Sequence, residues 1–252
     1  MAQETVGRVR YEKPPLIEAV CEFRFAEIGV QPVLIPGRYY ERVCTEYPEI
    51  EVKRGFGLQA GGPEVEMVTE ERTVFRNPVA NRLVQIGHGM LAINQLRPYT
   101  DYATFRHEIE ARLTDYKAVA QPKKLVKLGL RYINRLPVSE DQNLRAVLDV
   151  GFKLPRGVGA MPDPYLLRLE FPHNNGRDRL ILIVAKAADH QESTGVMLDL
   201  DYVLAKPEET QETNPVQWMD SAHDTIERVF HACITKETIA SFKPIGPKRG
   251  KP

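Results

Sequence analysis

The chain has few cysteines, no net charge and no long apolar segment, and each lack excludes a class of protein. Its three cysteines, Cys21, Cys44 and Cys233, are scattered and form no CxxC pair, which predicts reduced thiols rather than a disulfide framework. The formal net charge is +0, which argues against a dedicated nucleic-acid binder, because such proteins neutralise phosphates with Lys and Arg. No apolar run approaches the about 18 residues of a membrane span, and no leader pattern opens the chain. We therefore expect a cytoplasmic protein with no membrane association.

Catalytic motifs are absent as well. No Ser or Cys lies in a nucleophile elbow and no P-loop is present. The glycines between Gly55 and Gly61 lack the dinucleotide-binding spacing, and His107-Glu108 lacks the second histidine of a zinc-protease helix. His223 and His231 share a predicted helix but are eight residues apart. These absences predict a protein that is not an enzyme and that holds no cofactor and no metal.

The strongest positive signal is the alternation of apolar and polar residues from Leu125 to Val138. Successive side chains of a strand point to opposite faces, so this pattern predicts a long, half-buried strand. One face carries mainly apolar residues and should be buried, together with the matching positions of the later strands. The predicted buried residues are Leu128, Leu130, Tyr132, Leu167, Leu169, Leu198 and Leu200. The other face carries three evenly spaced cations, namely Lys127, Arg131 and Arg135.

Each half of the chain shows the same order of predicted elements, β-α-β-β-β-α. In the first half the predictions are strands at Leu16–Phe25, Glu66–Phe75, Arg82–Gly87 and Met90–Leu96, and helices at Pro36–Tyr47 and Tyr102–Tyr116. In the second half they are strands at Leu125–Val138, Tyr165–His173, Arg179–Ala187 and Gly195–Leu204, a short helix at Ser139–Val150 and a last helix from Pro215 to Cys233. Asn175-Gly176 predicts a hairpin, and Asn214-Pro215 predicts the start of the last helix.

This order predicts an α+β fold with mainly antiparallel sheets and flanking helices. The boundaries are a first repeat at 1–120, a second repeat at 121–242 and a disordered basic tail at 243–252. The two repeats would either join edge to edge with pseudo-two-fold symmetry, as in the saddle of the TATA-binding protein, or pack as two lobes. We prefer the joined arrangement, because both apolar faces need cover.

Several blocks of the sequence resemble a known family. They include KPPLIEAVCEFRF, RLVQIGHGMLAINQLRPY, LGLRYINRL, YLLRLEFP with NGRDRL, and VMLDLDY, and they extend over roughly Lys13 to Cys233. They are similar to a sporadically distributed family of uncharacterised prokaryotic proteins of about this length. The resemblance implies no catalytic residues. Its patchy distribution is typical of defence and toxin–antitoxin genes, and the resemblance therefore implies a protein partner in such a system.

Charged residues on the polar sides of the second-half strands are the candidate binding site. The candidates are Lys127, Arg131, Arg135, Arg168, Glu170, Asp199 and Asp201. If the strands are neighbours, Arg131 and Arg135 should each lie near a carboxylate, because unlike charges on neighbouring strands attract. The same pattern suits either a ladder of structural ion pairs or a groove for an anionic or peptidic partner. Asp199 and Asp201 also form a DxD pair, but hard cations usually need more oxygen ligands.

Three functions are compatible with these residues. The first is a non-catalytic cytoplasmic protein that binds a protein partner. The second is a saddle-type nucleic-acid-binding module that uses Lys127, Arg131 and Arg135, which the neutral charge disfavours. The third is a metal-dependent hydrolase or nuclease built on Glu170, Asp199 and Asp201, which the lack of further ligands disfavours. For Trp218, in the first turn of the last helix, burial is the expected role rather than exposed recognition.

Overall fold

The computed structural model describes residues 10–60, 65–138, 144–151, 164–187, 195–204, 206 and 214–245, without the side chains of 55–60 and 65–70. The first half contains strands β1 (Arg10–Tyr11), β2 (Leu16–Ile28), β3 (Glu49–Ala60), β4 (Val65–Asn77), β5 (Arg82–Gly87) and β6 (Met90–Leu96), and helices α1 (Ile35–Val43) and α2 (Tyr102–Ala120). The second half contains β7 (Pro122–Pro137), β8 (Leu166–His173), β9 (Asp178–Lys186), β10 (Gly195–Leu204), β11 (Pro244–Ile245), α3 (Pro215–Cys233) and α4 (Lys236–Ser241).

Nine of these strands form one sheet in the order β3-β4-β5-β6-β2-β7-β10-β9-β8. Every neighbouring pair is antiparallel, so the predicted α+β class with antiparallel pairing is confirmed. The halves join edge to edge through β2 and β7, where Val20 lies opposite Arg131 and Cys21 opposite Leu130. The two long strands at the centre therefore fix which side chains of the two halves share a face.

The internal duplication stays a prediction. Moving outward from the central pair, the first half contributes β6, β5, β4 and β3, and the second half contributes β10, β9 and β8. The first half has α1 between β2 and β3, whereas the described part of the second half has only the short 3-10 helix Leu144–Ala146 between β7 and β8. The predicted helix starts at Ser139, and its first residues, 139–143, lie outside the described residues.

One face of the sheet packs against the helices, and we call it the helix face. It carries Cys21, whose thiol contacts Met219 of α3 at 3.6 Å, and Phe75, whose ring centroid lies 5.2 Å from that of Tyr39 of α1. Of the seven residues that alternation predicts to be buried, five are buried, namely Leu128, Leu130, Tyr132, Leu198 and Leu200. Leu167 and Leu169 are only half-buried, because β8 is the last strand of the sheet and has a neighbour on one side only.

Helix starts follow the capping signals of the sequence. The Asn214 side chain accepts a hydrogen bond from the backbone N–H of Val216, and Pro215 occupies the first turn of α3, as predicted. Asp101 caps α2 in the same way, accepting from Thr104 N at 2.9 Å. In each case the side-chain oxygen satisfies a backbone donor that has no partner within the helix.

Trp218 is buried, as expected from its position. Its side chain is part of the packing between α3 and β9, where the indole Nε1–H donates to Asp178 Oδ1 at 3.0 Å. Asp178 is itself buried, and the Arg177 guanidinium lies 2.7 Å from its Oδ2. Burial raises the pKa of Asp178, but its hydrogen bonds with Arg177 and Trp218 hold it below the ordinary value. This residue pair therefore fixes the start of α3 against the sheet.

The predicted disorder from residue 243 onward is wrong for its first residues. Pro244 and Ile245 form β11, which pairs with β1, and Lys243 Nζ lies 3.2 Å from Glu12 Oε2. Residues 246–252 lie outside the described part of the chain. The backbone of the segment before β2 thus hydrogen-bonds to that of the segment after α4, with Lys13 N donating to Phe242 O.

Candidate functional site

We call the second face of the nine-stranded sheet the open face, because none of the helices in the described ranges packs on it. The strand register places Glu170, Ile181, Asp201, Arg131 and Val20 in one row across β8, β9, β10, β7 and β2. The open face therefore contains the charged residues that the sequence predicts as a site. Five of these seven side chains nevertheless fall into three separate groups, and Asp201 and Arg135 have settings of their own.

The first group is an ion pair between Arg131 and Asp199. The Arg131 guanidinium donates through Nε to Asp199 Oδ1 at 2.8 Å and through Nη2 to Oδ2 at 2.5 Å. Asp199 is buried, whereas the Arg131 side chain is 44% exposed. This bidentate geometry confirms that Arg131 lies near a carboxylate. The two hydrogen bonds fix the orientation of the guanidinium relative to Asp199.

Next to this pair lies a second arrangement on β2 and β7. Glu22 Oε1 accepts hydrogen bonds from Lys127 Nζ at 2.9 Å and from Arg24 Nε at 2.8 Å. Burial raises the pKa of Glu22, but the Lys127 and Arg24 charges outweigh it and hold the pKa below its ordinary value. Two cations thus share one ionised carboxylate, and Lys127 is neutralised locally.

Asp201 is the one carboxylate of this region with a strongly raised pKa. It lies opposite Arg131 on β10, and burial raises its pKa from 3.8 to about 6. The positive charges of Arg131 and Lys127 lower this pKa, while the negative charges of Asp199 and Glu22 raise it. Arg131 already pairs with Asp199, and Lys127 pairs with Glu22. The two cations therefore offset little of the rise in the pKa of Asp201.

This pKa predicts a specific pH dependence of stability. Between about pH 4 and pH 6 the folded state holds the Asp201 proton while the unfolded state has lost it, so the free energy of unfolding falls as pH rises through this range. Asp201→Asn has no titratable carboxyl group at this position, so its stability should not fall over this pH range. At pH 7 the variant should be more stable than the wild type by about 1–3 kcal/mol, since one pKa unit corresponds to about 1.4 kcal/mol, and near pH 4 the two should be equal. Urea denaturation at several pH values measures the difference.

The matched control is Glu41→Gln, an exposed carboxylate on α1, which should give the same pH profile as the wild type. An Asp201→Asn protein that is less stable than the wild type at pH 7, or one whose advantage grows toward acid pH, would contradict the raised pKa.

At the edge of the sheet a separate group surrounds Glu170. Arg168 Nη2 and Arg179 Nη1 each lie 2.7 Å from a Glu170 carboxylate oxygen. The β9 residues Ile181 and Ile183 separate this group from Asp201 and Asp199 on β10. Glu170 therefore belongs to an exposed ion-pair network of β8 and β9 rather than to a common site with the two aspartates.

Arg135 has a different setting again. The register places Met197, not a carboxylate, opposite it on β10. Burial and the positive charge of Arg135 together lower the pKa of Arg97, so these two arginines lie close to each other. Both line a cavity of about 670 Å³ at the end of the sheet, together with Lys13. We call it the cationic cavity.

The arrangement predicted for a hydrolase, Glu170 with Asp199 and Asp201, is not a cluster of ligands. In the described part of the chain, the one group of three His, Cys, Asp or Glu side chains close enough to share an ion is His223, Asp224 and Glu227 on α3. His223 Nδ1 is within 3.1 Å of the Tyr132 hydroxyl, and its Nε2 lies 3.9 Å from Glu227 Oε2.

Sequence reasoning missed a cavity of about 330 Å³ on the helix side. We call it the aromatic cavity; its lining includes Tyr11, Tyr99, Tyr102, Tyr132, His223 and Phe230. These residues come from the segment before β2, the start of α2, the end of β7 and the middle of α3, and no local pattern connects them. A half-open volume of this size with a mainly apolar wall and a few polar groups is typical of a small-molecule site.

The polar groups of the aromatic cavity form a chain. The hydroxyls of Tyr99 and Tyr132 are 3.1 Å apart, and the Tyr132 hydroxyl is 3.1 Å from His223 Nδ1. The His223 ring stacks on Tyr102, with centroids 3.9 Å apart. Burial raises the pKa of Tyr132 well above its ordinary value, so its hydroxyl stays protonated. The Tyr132 hydroxyl and the groups around it therefore give the cavity a polar stretch within its wall.

Comparisons with protein-family models, with curated proteins and with solved structures found no match. The family resemblance described above therefore stays a prediction. None of the helices in the described ranges is long and apolar enough to cross a membrane.

Proposed function

We propose that this protein is a non-catalytic binding protein whose open face engages a protein partner. The occupant that fits this face is a protein surface with apolar and acidic side chains. The observation that carries the proposal is the combination of exposed arginines and half-buried aliphatic residues on β7, β8, β9 and β10.

The apolar part lies between the ion-pair groups. Ile133, Ile181, Ile183, Met197 and Val203 are all half-buried on the open face. They occupy neighbouring strands, where Asp199 lies between Ile133 and Ile183, so they form the apolar part of a mixed floor. Burial of such a floor, framed by arginines, is typical of protein–protein interfaces, which are enriched in Met and Arg.

The charge of the accessible surface also favours an acidic partner. The side chains of Arg131, Arg168 and Arg179 are 44%, 46% and 49% exposed, whereas Asp199 is 8% and Glu170 is 35% exposed. The carboxylates thus lie deeper than the guanidiniums that they orient. Guanidiniums keep further N–H donors when one carboxylate is bound, and these donors would meet acidic side chains of the partner.

The nucleic-acid alternative has less support. Two of its three cations, Lys127 and Arg131, are neutralised by Glu22 and Asp199. Among the described residues of β7 to β10, no aromatic side chain lies on the open face for bases to stack on, and stacking is a main contribution to single-strand binding. A protein partner would bury the apolar side chains of this face, whereas phosphate groups gain nothing from them.

The proposal is tested with the double charge reversal Arg168→Glu/Arg179→Glu. The tagged protein is used to capture partners from a nuclease-treated lysate of the native host, and a captured protein is then purified for affinity measurements. We expect the double variant to weaken the purified complex at least about tenfold, because a charged hydrogen bond contributes about 1.5–3 kcal/mol. Neighbouring genes, including those of defence or toxin–antitoxin systems, supply candidates for the same measurement.

Arg38→Glu, an exposed arginine on α1, is the matched control and should leave the complex unchanged. A partner whose affinity is the same for both variants would contradict binding at the open face. Association that disappears on nuclease treatment, with an affinity that falls steeply with salt, would favour the nucleic-acid alternative instead.

A further inference from the structure

The aromatic cavity is lined by segments that are far apart in the chain. One part of its wall comes from α2, β7 and α3, which contribute Tyr102, Tyr132 and His223. Another part comes from β1 and β11, which contribute Tyr11 and Ile245. The cavity is half-open, so a small molecule can reach it from solvent.

The aromatic rings of this wall are held in place by their neighbours. The Tyr102 ring stacks on the His223 ring, with planes 6° apart, and the Tyr102 hydroxyl donates to Asp220 Oδ1 at 2.8 Å. The Tyr11 ring meets the Phe242 ring edge to face, with centroids 5.6 Å apart. Rings that are already ordered lose little conformational entropy when a ligand binds. They favour a planar aromatic ligand, because aromatic pairs gain from stacked and edge-to-face contacts.

The polar stretch of the wall can take part in one further hydrogen bond. The Tyr132 hydroxyl lies 3.1 Å from the Tyr99 hydroxyl and 3.1 Å from His223 Nδ1. A tyrosine hydroxyl offers one donor and can also accept, so a ligand hydroxyl or amide can extend this series of hydrogen bonds. The wall therefore combines apolar rings with a hydrogen-bonding group that needs no charge on the ligand.

The charged residues of the lining carry both signs. Arg10 Nη2 lies 2.9 Å from Asp101 Oδ2. Burial, and then the negative charge of Glu227, raise the pKa of Tyr11 to about 12, which places this carboxylate near the Tyr11 hydroxyl. An anionic ligand would meet the two carboxylates, a cationic ligand would meet Arg10, and either would give up its hydration in a mainly apolar space. An uncharged ligand avoids these costs.

We propose that the aromatic cavity binds a small, uncharged aromatic molecule that carries one hydroxyl or amide group. Its planar ring packs among Tyr11, Tyr102 and Phe230, and its polar group hydrogen-bonds to the hydroxyls of Tyr99 and Tyr132. The site is separate from the open face, because its lining comes from the helix side of the sheet and from β1 and β11.

Four naphthalene derivatives test the class of ligand, because they share one ring system and differ in one group. 2-Naphthol is uncharged at pH 7, naphthalene has no polar group, 2-naphthalenesulfonate is an anion and 2-naphthylmethylamine is a cation. We expect one 2-naphthol per folded chain, bound about three- to tenfold more tightly than naphthalene, as expected for one hydrogen bond between uncharged groups. Both charged derivatives should bind at least about tenfold more weakly than 2-naphthol. Equilibrium dialysis gives the four dissociation constants.

Four variants separate the hydrogen bond from the ring contacts. Tyr132→Phe keeps the ring and removes the hydroxyl, so it should weaken 2-naphthol to the level of naphthalene and leave naphthalene unchanged. Tyr99→Phe should act in the same direction. Ala103→Trp places a large side chain at an exposed position of the lining and should weaken both compounds. Tyr40→Phe, on α1 and not among the described lining residues, is the matched control and should change neither.

Circular dichroism and thermal melting establish that each variant is folded before the affinities are compared. Tighter binding of either charged derivative than of 2-naphthol would overturn the uncharged class of ligand. Equal affinity of the wild type for 2-naphthol and naphthalene would overturn the hydrogen bond to the tyrosine hydroxyls. Unchanged binding of 2-naphthol to a folded Ala103→Trp protein, or no saturable binding of any derivative to the wild type, would overturn the site itself.

Discussion

Truncation of Leu130 to alanine should lower the free energy of unfolding by about 2–5 kcal/mol. Leu130 is fully buried on the helix face of β7, between Cys21 of β2 and Tyr202 of β10. Since β7 lies at the centre of the sheet, its neighbours on both sides are long strands that cannot move inward to fill the space. The loss therefore includes the cavity left behind as well as the lost transfer free energy.

Urea denaturation of Leu130→Ala and Ile133→Ala compares the two faces of one strand. Ile133 is half-buried on the open face, and its truncation should cost only about 1 kcal/mol, because much of the side chain already contacts solvent. A cost for Leu130→Ala below half that of Ile133→Ala would show that the faces are reversed. An unchanged slope of the free energy against denaturant would show that the variants unfold from the same native structure.

The faces of the sheet were predictable because alternation is a local property. The pattern in β7 alone separates Leu128, Leu130 and Tyr132 from Lys127 and Arg131, and a strand cannot change this assignment without shifting its register. The α+β class follows from the order of the strands and helices for the same reason. Local patterns therefore determined which side chains are buried in most of the second half.

The pairing of the charged residues was only partly predictable. Arg131 pairs with Asp199, as expected, but the pairing is diagonal, and Asp201 lies directly opposite it. Arg135 lies on the same face of β7 as Arg131, but it is near Arg97, which follows β6 in the chain. Such contacts depend on which strand ends meet in space, and the sequence gives no local signal for that.

Short elements were missed for a related reason. A strand of two residues such as β11, or a helix of six such as α4, contains too few positions to show a period. The aromatic cavity was missed because its lining is collected from four distant segments. In both cases the contacts that form the feature join residues far apart in the sequence. Single tyrosines and histidines show no spacing that would predict a cavity.

Glu108 illustrates how a residue without a motif gains a role from packing. In the sequence it follows His107 in an incomplete zinc-protease pattern. In the fold it is a buried residue of α2, where it accepts a hydrogen bond from Tyr47 at 2.7 Å and from Arg82 at 2.6 Å. Arg112, also buried, lies 3.3 Å from its Oε1. One carboxylate therefore compensates two arginines between α1, α2 and β5.

Replacing this carboxylate should cost more stability than replacing an exposed one. Glu108→Gln keeps the shape of the side chain but removes the charge, so Arg112 keeps only Glu46 and Asp115, at 3.4 Å each. We expect a loss of about 3 kcal/mol in the free energy of unfolding at pH 7, because a buried charge that loses its partner is strongly destabilising. Denaturant titration and the melting temperature both measure the loss.

Glu110→Gln, two residues further along α2, is the matched control. It separates this effect from a general preference for glutamate in the helix. Glu110 is half-buried and pairs with Arg106 at 3.3 Å across one turn, and such pairs contribute only about 0.3–0.5 kcal/mol. If the two variants lost equal stability, the buried network could not be what makes Glu108 important. The double variant Glu108→Gln/Arg112→Met provides a further check. It should recover part of the loss, because removing both charges avoids a buried guanidinium that has lost its nearest carboxylate, whereas an additive loss would mean that the two side chains stabilise the fold independently.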